Sequence, residues 1–177
     1  MQDNDRPPPD SLDAWVRQTW PRAVAYARSL LRDRPAAEDV VQECYCNLLR
    51  KADDYDLLLD GVRLLMKAVS NACFKRNARR PTISLSDGTS GTEPHDPAAP
   101  EPARAALGAE LERAVEAALA RLPQAQRAAV ELKSLGHSLA EIAEILNVTP
   151  TNAGVLIHRG RQELARLLAP YLEEDAR

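Results

Sequence analysis

Three short stretches hold the side chains that could do chemistry. The first is AEDVVQEC, residues 37–44. On a helix turning about 100° per residue, Asp39, Gln42 and Glu43 fall on one side with Cys46 and Arg50. Val40, Val41, Cys44, Tyr45 and Leu48 fall on the other. Such a stripe of acceptors is either a solvated face or a docking surface for a basic partner. The second stretch is KRNARR, residues 75–80, in which Lys75, Arg76, Arg79 and Arg80 have no acidic neighbour. Cations at a helix end favour the dipole. Four without compensation, beside Asn71 and Asn77, also suit contacts to phosphates. Lys67, Asn71 and Lys75 extend that polar stripe at four-residue spacing. Phe74 is the sole aromatic nearby, so a platform of several stacked rings is excluded.

The third stretch is SLAEIAEILNVTPTNAGVLIHRGR, residues 138–161. Ser138 and Glu141 stand in capping-box register. A short helix Leu139–Leu146 follows, then the turn Asn147-Val148-Thr149. Thr149 can cap and Pro150 can open a longer final helix. Ile142, Ala143, Ile145, Leu146 and Val148 would lock the pair. Two helices joined this way fit a helix-turn-helix, and also an αα-hairpin of any small bundle. Cys44 and Cys46, two residues apart on a helix, point to nearly opposite sides, and no four-ligand zinc spacing occurs. Nucleophile-elbow, phosphate-loop and zinc-protease motifs are absent, so no catalytic residue, metal or cofactor is expected.

The elements that must position these residues follow from local signals. Asp10 or Ser11 can cap a helix to about Thr19, and Pro21 suits the first turn of a second, 21–32. Asp33 and Pro35 start a third, about 35–51. The run DDYD, 53–56, separates it from a fourth, about 57–79, with Leu58, Val62, Leu65, Val69 and Cys73 as its buried stripe. Beyond residue 106, Leu111–Leu122 is amphipathic. A helix from Pro123 to Leu135 should end at Gly136 in a left-handed conformation, and the last helix should run to about Ala169. No strand-like alternation appears.

Residues 81–103 contain five prolines and two glycines and read as a flexible linker. The fold class is therefore all-α: two small helical domains joined by a flexible linker, the second a helix-turn-helix. The boundaries are a disordered 1–10, a domain over 11–80, the linker 81–106, a domain over 107–172 and a tail, 173–177. Net charge is −3, but residues 11–80 carry 13 Lys+Arg against 9 Asp+Glu, and residues 107–177 carry 8 against 10. The basic surface belongs to the first half. No apolar run reaches the ~20 residues that span a bilayer. The acidic N-terminus lacks a signal-peptide layout. Three cysteines fit a reducing compartment. A cytoplasmic protein without membrane insertion is expected.

Taken in order, three stretches resemble a bacterial RNA polymerase sigma factor of the extracytoplasmic-function (ECF) type. WPRAVAYARSLLRDRPAAEDVVQECYCNLLR, 20–50, is similar to the family's first conserved region. LLMKAVSNACFKRNARR, 64–80, is similar to its promoter-melting helix. Residues 122–168 are similar to its carboxy-terminal helix-turn-helix domain. The resemblance implies a subunit that binds core RNA polymerase, recognises and melts promoter DNA and starts transcription without being an enzyme. It implies that Asp39, Gln42 and Glu43 dock on the β′ clamp coiled coil, with the β flap as a further contact. It implies minus-ten-element contacts by Lys67, Asn71, Lys75, Arg76, Arg79 and Arg80. For the minus-thirty-five element it leaves Thr149, Thr151, Asn152, His158, Arg159 and Arg161. An anti-sigma factor is a further candidate partner. Leu49 and Leu64 stand where the family has tryptophan. Gly154, Val155 and Leu156 stand where it usually carries Lys, Ser and Arg, and none offers a side-chain donor to a base. The alternative is a sigma-like protein that binds a regulator or polymerase without directing transcription. A general helix-turn-helix repressor would explain the C-terminal half but not residues 37–50.

Overall fold

The computed structural model describes residues 9–79 and 102–174. Among them are seven α-helices and one short 3-10 turn, Ala52–Asp54. The helices are α1 (Pro9–Leu31), α2 (Arg34–Leu49), α3 (Gly61–Arg79), α4 (Pro102–Arg121), α5 (Gln124–Ser134), α6 (Leu139–Leu146) and α7 (Pro150–Glu174). The expected minus-ten contact Arg80, the N-terminal residues 1–8, most of the expected linker (81–101) and the end of the tail lie outside the described residues. The last five residues of the expected linker, 102–106, belong to α4.

Local chemistry sets several ends. Arg32 adopts φ +57 and stops α1. The Asp33 carboxylate then accepts the Ala36 amide N–H at 3.0 Å and caps α2. Gly136 turns the chain at φ +94, a conformation that strains residues with a Cβ. Ser138 and Glu141 form the reciprocal capping box, with Ser138 N donating to Glu141 Oε2 at 2.8 Å and Glu141 N to Ser138 Oγ at 3.2 Å. Asn147, at φ 54, closes α6 in the left-handed region that asparagine tolerates.

Two expectations are corrected. The break at Thr19–Pro21 does not occur, and α1 runs from Pro9 through Pro21 as one helix, so Asp10 and Ser11 lie within it rather than at its cap. An internal proline costs a helix ~3 kcal/mol. Here Trp15, Ala23, Tyr26, Ala27 and Leu30 on both sides of it lie in one core, and that burial holds the helix together. The fourth expected helix begins at Gly61 rather than 57, because the Asp56 carboxylate accepts the Leu58 and Leu59 N–H groups in a turn. Leu58 is thus 52% exposed and Val62 37%, so the upper part of the expected stripe is not core. Met66 joins Leu65, Val69 and Cys73 instead. Gly61 is required where α3 starts, since a Cβ there would lie 2.8 Å from Trp15 Cζ2.

Aromatic and hydroxyl contacts organise the first half. Tyr45 meets Trp15 edge-on at 5.4 Å and stacks with Trp20 at 5.6 Å. Its hydroxyl pairs with Thr19 Oγ1 at 2.6 Å, and the Tyr26 hydroxyl pairs with Ser70 Oγ at 2.8 Å. In the second half Leu132, Ile142, Ile145, Ala153 and Ile157 fill the space between α5, α6 and α7. The halves are not apart. Helix α6 packs on α3 and α5 on α1, and the buried residues of both halves form one continuous cluster. Arg127 is buried and crosses that boundary. Its guanidinium donates to the Ser29 carbonyl at 2.9 Å and to those of Ala120 and Leu122 at 2.8 and 3.0 Å. On the other edge Arg63 pairs with Asp60 at 2.9 Å and with Glu144 of α6.

Candidate functional site

The α2 stripe forms as its spacing predicts. Ala36, Ala37, Val40, Val41, Cys44, Tyr45 and Leu48 are buried, which commits the opposite face to solvent. Asp39, Gln42 and Glu43 are all exposed on that face. Glu38 differs: it is half-buried and accepts from Arg34 Nε at 2.9 Å. The two cysteines point apart, Cys44 inward and Cys46 outward. Burial pushes the Cys44 thiol up to about 11 and the Cys73 thiol up to about 12, so neither supplies a thiolate.

Beside this face an open groove of about 770 Å³ runs between α2 and α3. Val40, Cys44 and Leu48 line it from α2 together with Glu43 and Asn47, and Asn71, Lys75, Arg76 and Arg79 line it from α3. Tertiary packing thus sets Glu43, one edge of the acceptor stripe, and the basic helix end along one groove. Asn71, Lys75, Arg76 and Arg79 are exposed there. Lys67 is half-buried and does not line the groove. Asn77 is consumed structurally, since its amide donates to the Leu30 carbonyl at 3.1 Å. Three cations at one helix end, without an acid among them, can hold phosphate oxygens.

The second surface is the outward side of α7. Thr151, Asn152, His158, Arg159 and Arg161 are exposed. Thr149 accepts the Asn152 amide N–H at 3.2 Å, so its hydroxyl serves as the helix cap. Arg161 lies about 120° around the helix from Val155 and so leaves the strip made by the others. The charge of this half remains acidic, and Glu141 and Glu144 stand on α6 beside it.

Several features depart from local periodicity or lie beyond its reach. Tyr55, Leu58 and Leu59 before α3 and Val62 in its first turn are exposed apolar side chains, at 44%, 52%, 81% and 37% exposure. The triplet Leu57-Leu58-Leu59 carried a signal for this, because three consecutive leucines cannot all face one core. The cross-boundary contacts of Arg63 and Arg127 had no signal, since their partners lie 81 and 98 residues away.

Two family models match the chain: Sigma-70 region 2 over residues 15–57, and Sigma-70 region 4 over residues 112–164. The first covers the α2 face and ends before α3; the second contains the helix-turn-helix. The chain is 30% identical over 142 residues to the ECF RNA polymerase sigma factor SigW of Bacillus subtilis, covering 75% of each chain. It is 30% identical to the ECF sigma factor SigE of Mycolicibacterium smegmatis, over 94% of this chain and 65% of that one. It is 28% identical to the sigma factor CarQ of Myxococcus xanthus over 95% of both. The fold matches that of the sigma factor RpoE of Bartonella quintana, solved in complex with the anti-sigma factor NepR, at a TM-score of 0.72 and 19% identity. The match covers 90% of this chain and 98% of that one.

Two helical units carrying an acceptor stripe, a basic helix end and a helix-turn-helix define a DNA-binding transcription factor. More particularly, the chain belongs to the ECF RNA polymerase sigma factors: it recognises promoters for RNA polymerase and is not an enzyme. No helix among the described residues is long and apolar enough to cross a membrane.

Proposed function

We propose that this sigma factor is held on core RNA polymerase by Asp39, Gln42 and Glu43, which meet basic side chains of the β′ clamp coiled coil. The observation that carries this reading is the division of α2: one face wholly buried, the other presenting three exposed acceptors in register. Charge-assisted hydrogen bonds there would be both strong and oriented. The end of α3, with Asn71, Lys75, Arg76 and Arg79 and with Arg80 beyond the described residues, then grips the minus-ten element. Its position beside the docking face supports that role. Lys67, half-buried, contributes less directly. The α7 strip with Thr151, Asn152, His158 and Arg159 enters the major groove at the minus-thirty-five element, Thr149 acting there through the helix cap and Arg161 toward the phosphates. Melting requires no nucleotide hydrolysis by this chain; trapping an unstacked base shifts the equilibrium toward open DNA.

The two elements lie about 25 base pairs apart by their names, roughly 85 Å at 3.4 Å per pair. A compact chain of this length has a radius of gyration of about 16 Å. The closed arrangement therefore cannot touch both elements, and the halves part on the promoter as two domains, about 11–80 and 107–172. A fully extended connection between α3 and α4 could reach at most about 80 Å, enough for this together with the breadth of the domains. Work on polymerase supports a cytoplasmic location. The fold neighbour held by an anti-sigma factor supports a partner of that kind here as well.

The test is pull-down with core polymerase, comparing wild type with Asp39→Lys and Gln42→Ala. Loss of capture at unchanged helicity is expected; retained capture would return the stripe to an ordinary solvated face. A chain that forms holoenzyme but starts no transcript on any genomic fragment would favour the second reading, a regulator-binding protein that does not direct transcription. The donor-poor centre of α7 is the observation behind that reading.

A further inference from the structure

The outward strip of α7 is polar at its ends and apolar at its centre. Thr151, Asn152, Val155, His158 and Arg159 recur at one-, three- and four-residue steps and are all exposed. Val155 sits in the middle of them at 39% exposure. It is not needed to hold the helix pair, because Ala153 and Ile157 supply the buried face of α7. Beside it Gly154 leaves open space: a Cβ there would meet nothing nearer than Leu139 Cδ1 at 4.0 Å. Packing does not call for a glycine at 154, and no side chain there stands between the helix and a surface it approaches.

A valine in such a strip can make no hydrogen bond to a base edge. The major groove offers one apolar recognition group, the 5-methyl of thymine. Against any other edge Val155 would strip water from polar atoms and return nothing. We propose that Val155 is a specificity-determining residue that reads one thymine of the minus-thirty-five element through its methyl group. Gly154 lets the helix seat close enough for that contact, while Asn152 and Arg159 on either side hold the register. This rests on the reading of α7 as the DNA-facing helix.

The test uses the full chain bound to core polymerase to select duplexes from a random library. Each thymine of the selected upstream element is then replaced by uracil, which lacks the methyl alone. One replacement should weaken wild-type binding about fourfold, the worth of one buried methyl-sized group. Val155→Ala should bind the thymine duplex more weakly and no longer distinguish it from uracil. Val155→Thr, nearly the same shape with one methyl kept, should retain part of the discrimination. The position is exposed, so circular dichroism should be unchanged in both variants. The proposal is overturned if no uracil replacement weakens wild type, or if Val155→Ala discriminates as well as wild type. Failure to select any duplex overturns it together with the DNA-facing role of α7. A uracil effect on duplexes that start no transcript upholds it and refutes promoter activity instead.

Discussion

If the halves part on the promoter as proposed, the contact between α3 and α6 sets a measurable balance between closed and parted domains. Arg63 has a quarter of its side chain exposed, and Glu144 about half. Arg63 is also steadied by Asp60 at 2.9 Å. Exposed ion pairs contribute roughly 0.2–1 kcal/mol, and a pair steadied by a second carboxylate belongs near the upper end. Glu144→Arg removes that attraction and replaces it with a repulsion of similar size, about 2 kcal/mol in all. That shifts the closed-to-parted ratio about 30-fold. Arg28–Glu116 at 3.1 Å is exposed and adds little. The Arg127–Ser29 bond and the shared apolar cluster provide the remaining resistance. Small-angle scattering of the free chain reads the outcome directly. Wild type should have a radius of gyration near the compact value of about 16 Å, and Glu144→Arg should be clearly larger. Arg63→Glu should act likewise. The double variant should recover closure only in part, because Asp60 then faces a carboxylate in place of the guanidinium. Raising salt should mimic the single variants, since the Debye length shrinks from about 10 Å at 0.1 M to 3 Å at 1 M. If both single variants scatter like wild type and the double shows no coupling, the ion pair does not govern closure and the reasoning fails.

Three further outcomes follow from the same packing. Arg127→Met keeps the apolar stem but leaves three carbonyls without their donor; even with relief of a buried charge, we expect a loss of about 3 kcal/mol and a melting temperature lower by about 10 °C, read by calorimetry. Gly160→Ala should destabilise by about 1–3 kcal/mol in urea, because its Cβ would lie 2.6 Å from Val130 Cγ2, whereas Gly154→Ala in the same helix should stabilise by up to about 1 kcal/mol. The Ser138 hydroxyl and the Ser138 backbone N–H hold the Glu141 carboxyl below the usual carboxylate range. The folded pKa is thus lower than the unfolded value of about 4.3, so this contribution is present above pH 4.3 and is lost as pH falls through the folded value. The stability gap between wild type and Glu141→Gln should narrow across that window in pH-resolved urea melts. A gap unchanged down to pH 2 would exclude the capping bond as its source.

The sequence by itself determined those features whose causes lie within about four residues. Asp33 before Pro35, Ser138 before Glu141, Gly136 and Thr149 set helix ends by hydrogen bonds that close locally. The heptad-like spacing of Val40, Val41, Cys44, Tyr45 and Leu48 was enough to place Asp39, Gln42 and Glu43 on the open face. Only the tertiary structure decided that α1 passes through Pro21, because the compensation comes from burial against α2 and α3. It also decided that Asn77 is spent on the Leu30 carbonyl, and that Arg63 and Arg127 bind the two halves into one body. The contacts of Asn77, Arg63 and Arg127 depend on partners from about 45 to nearly 100 residues away, beyond the reach of any local periodicity. The two glycines of α7 give the sharpest case: helix propensity treats them alike, and what separates them is a valine methyl on α5 beside Gly160 and open space beside Gly154.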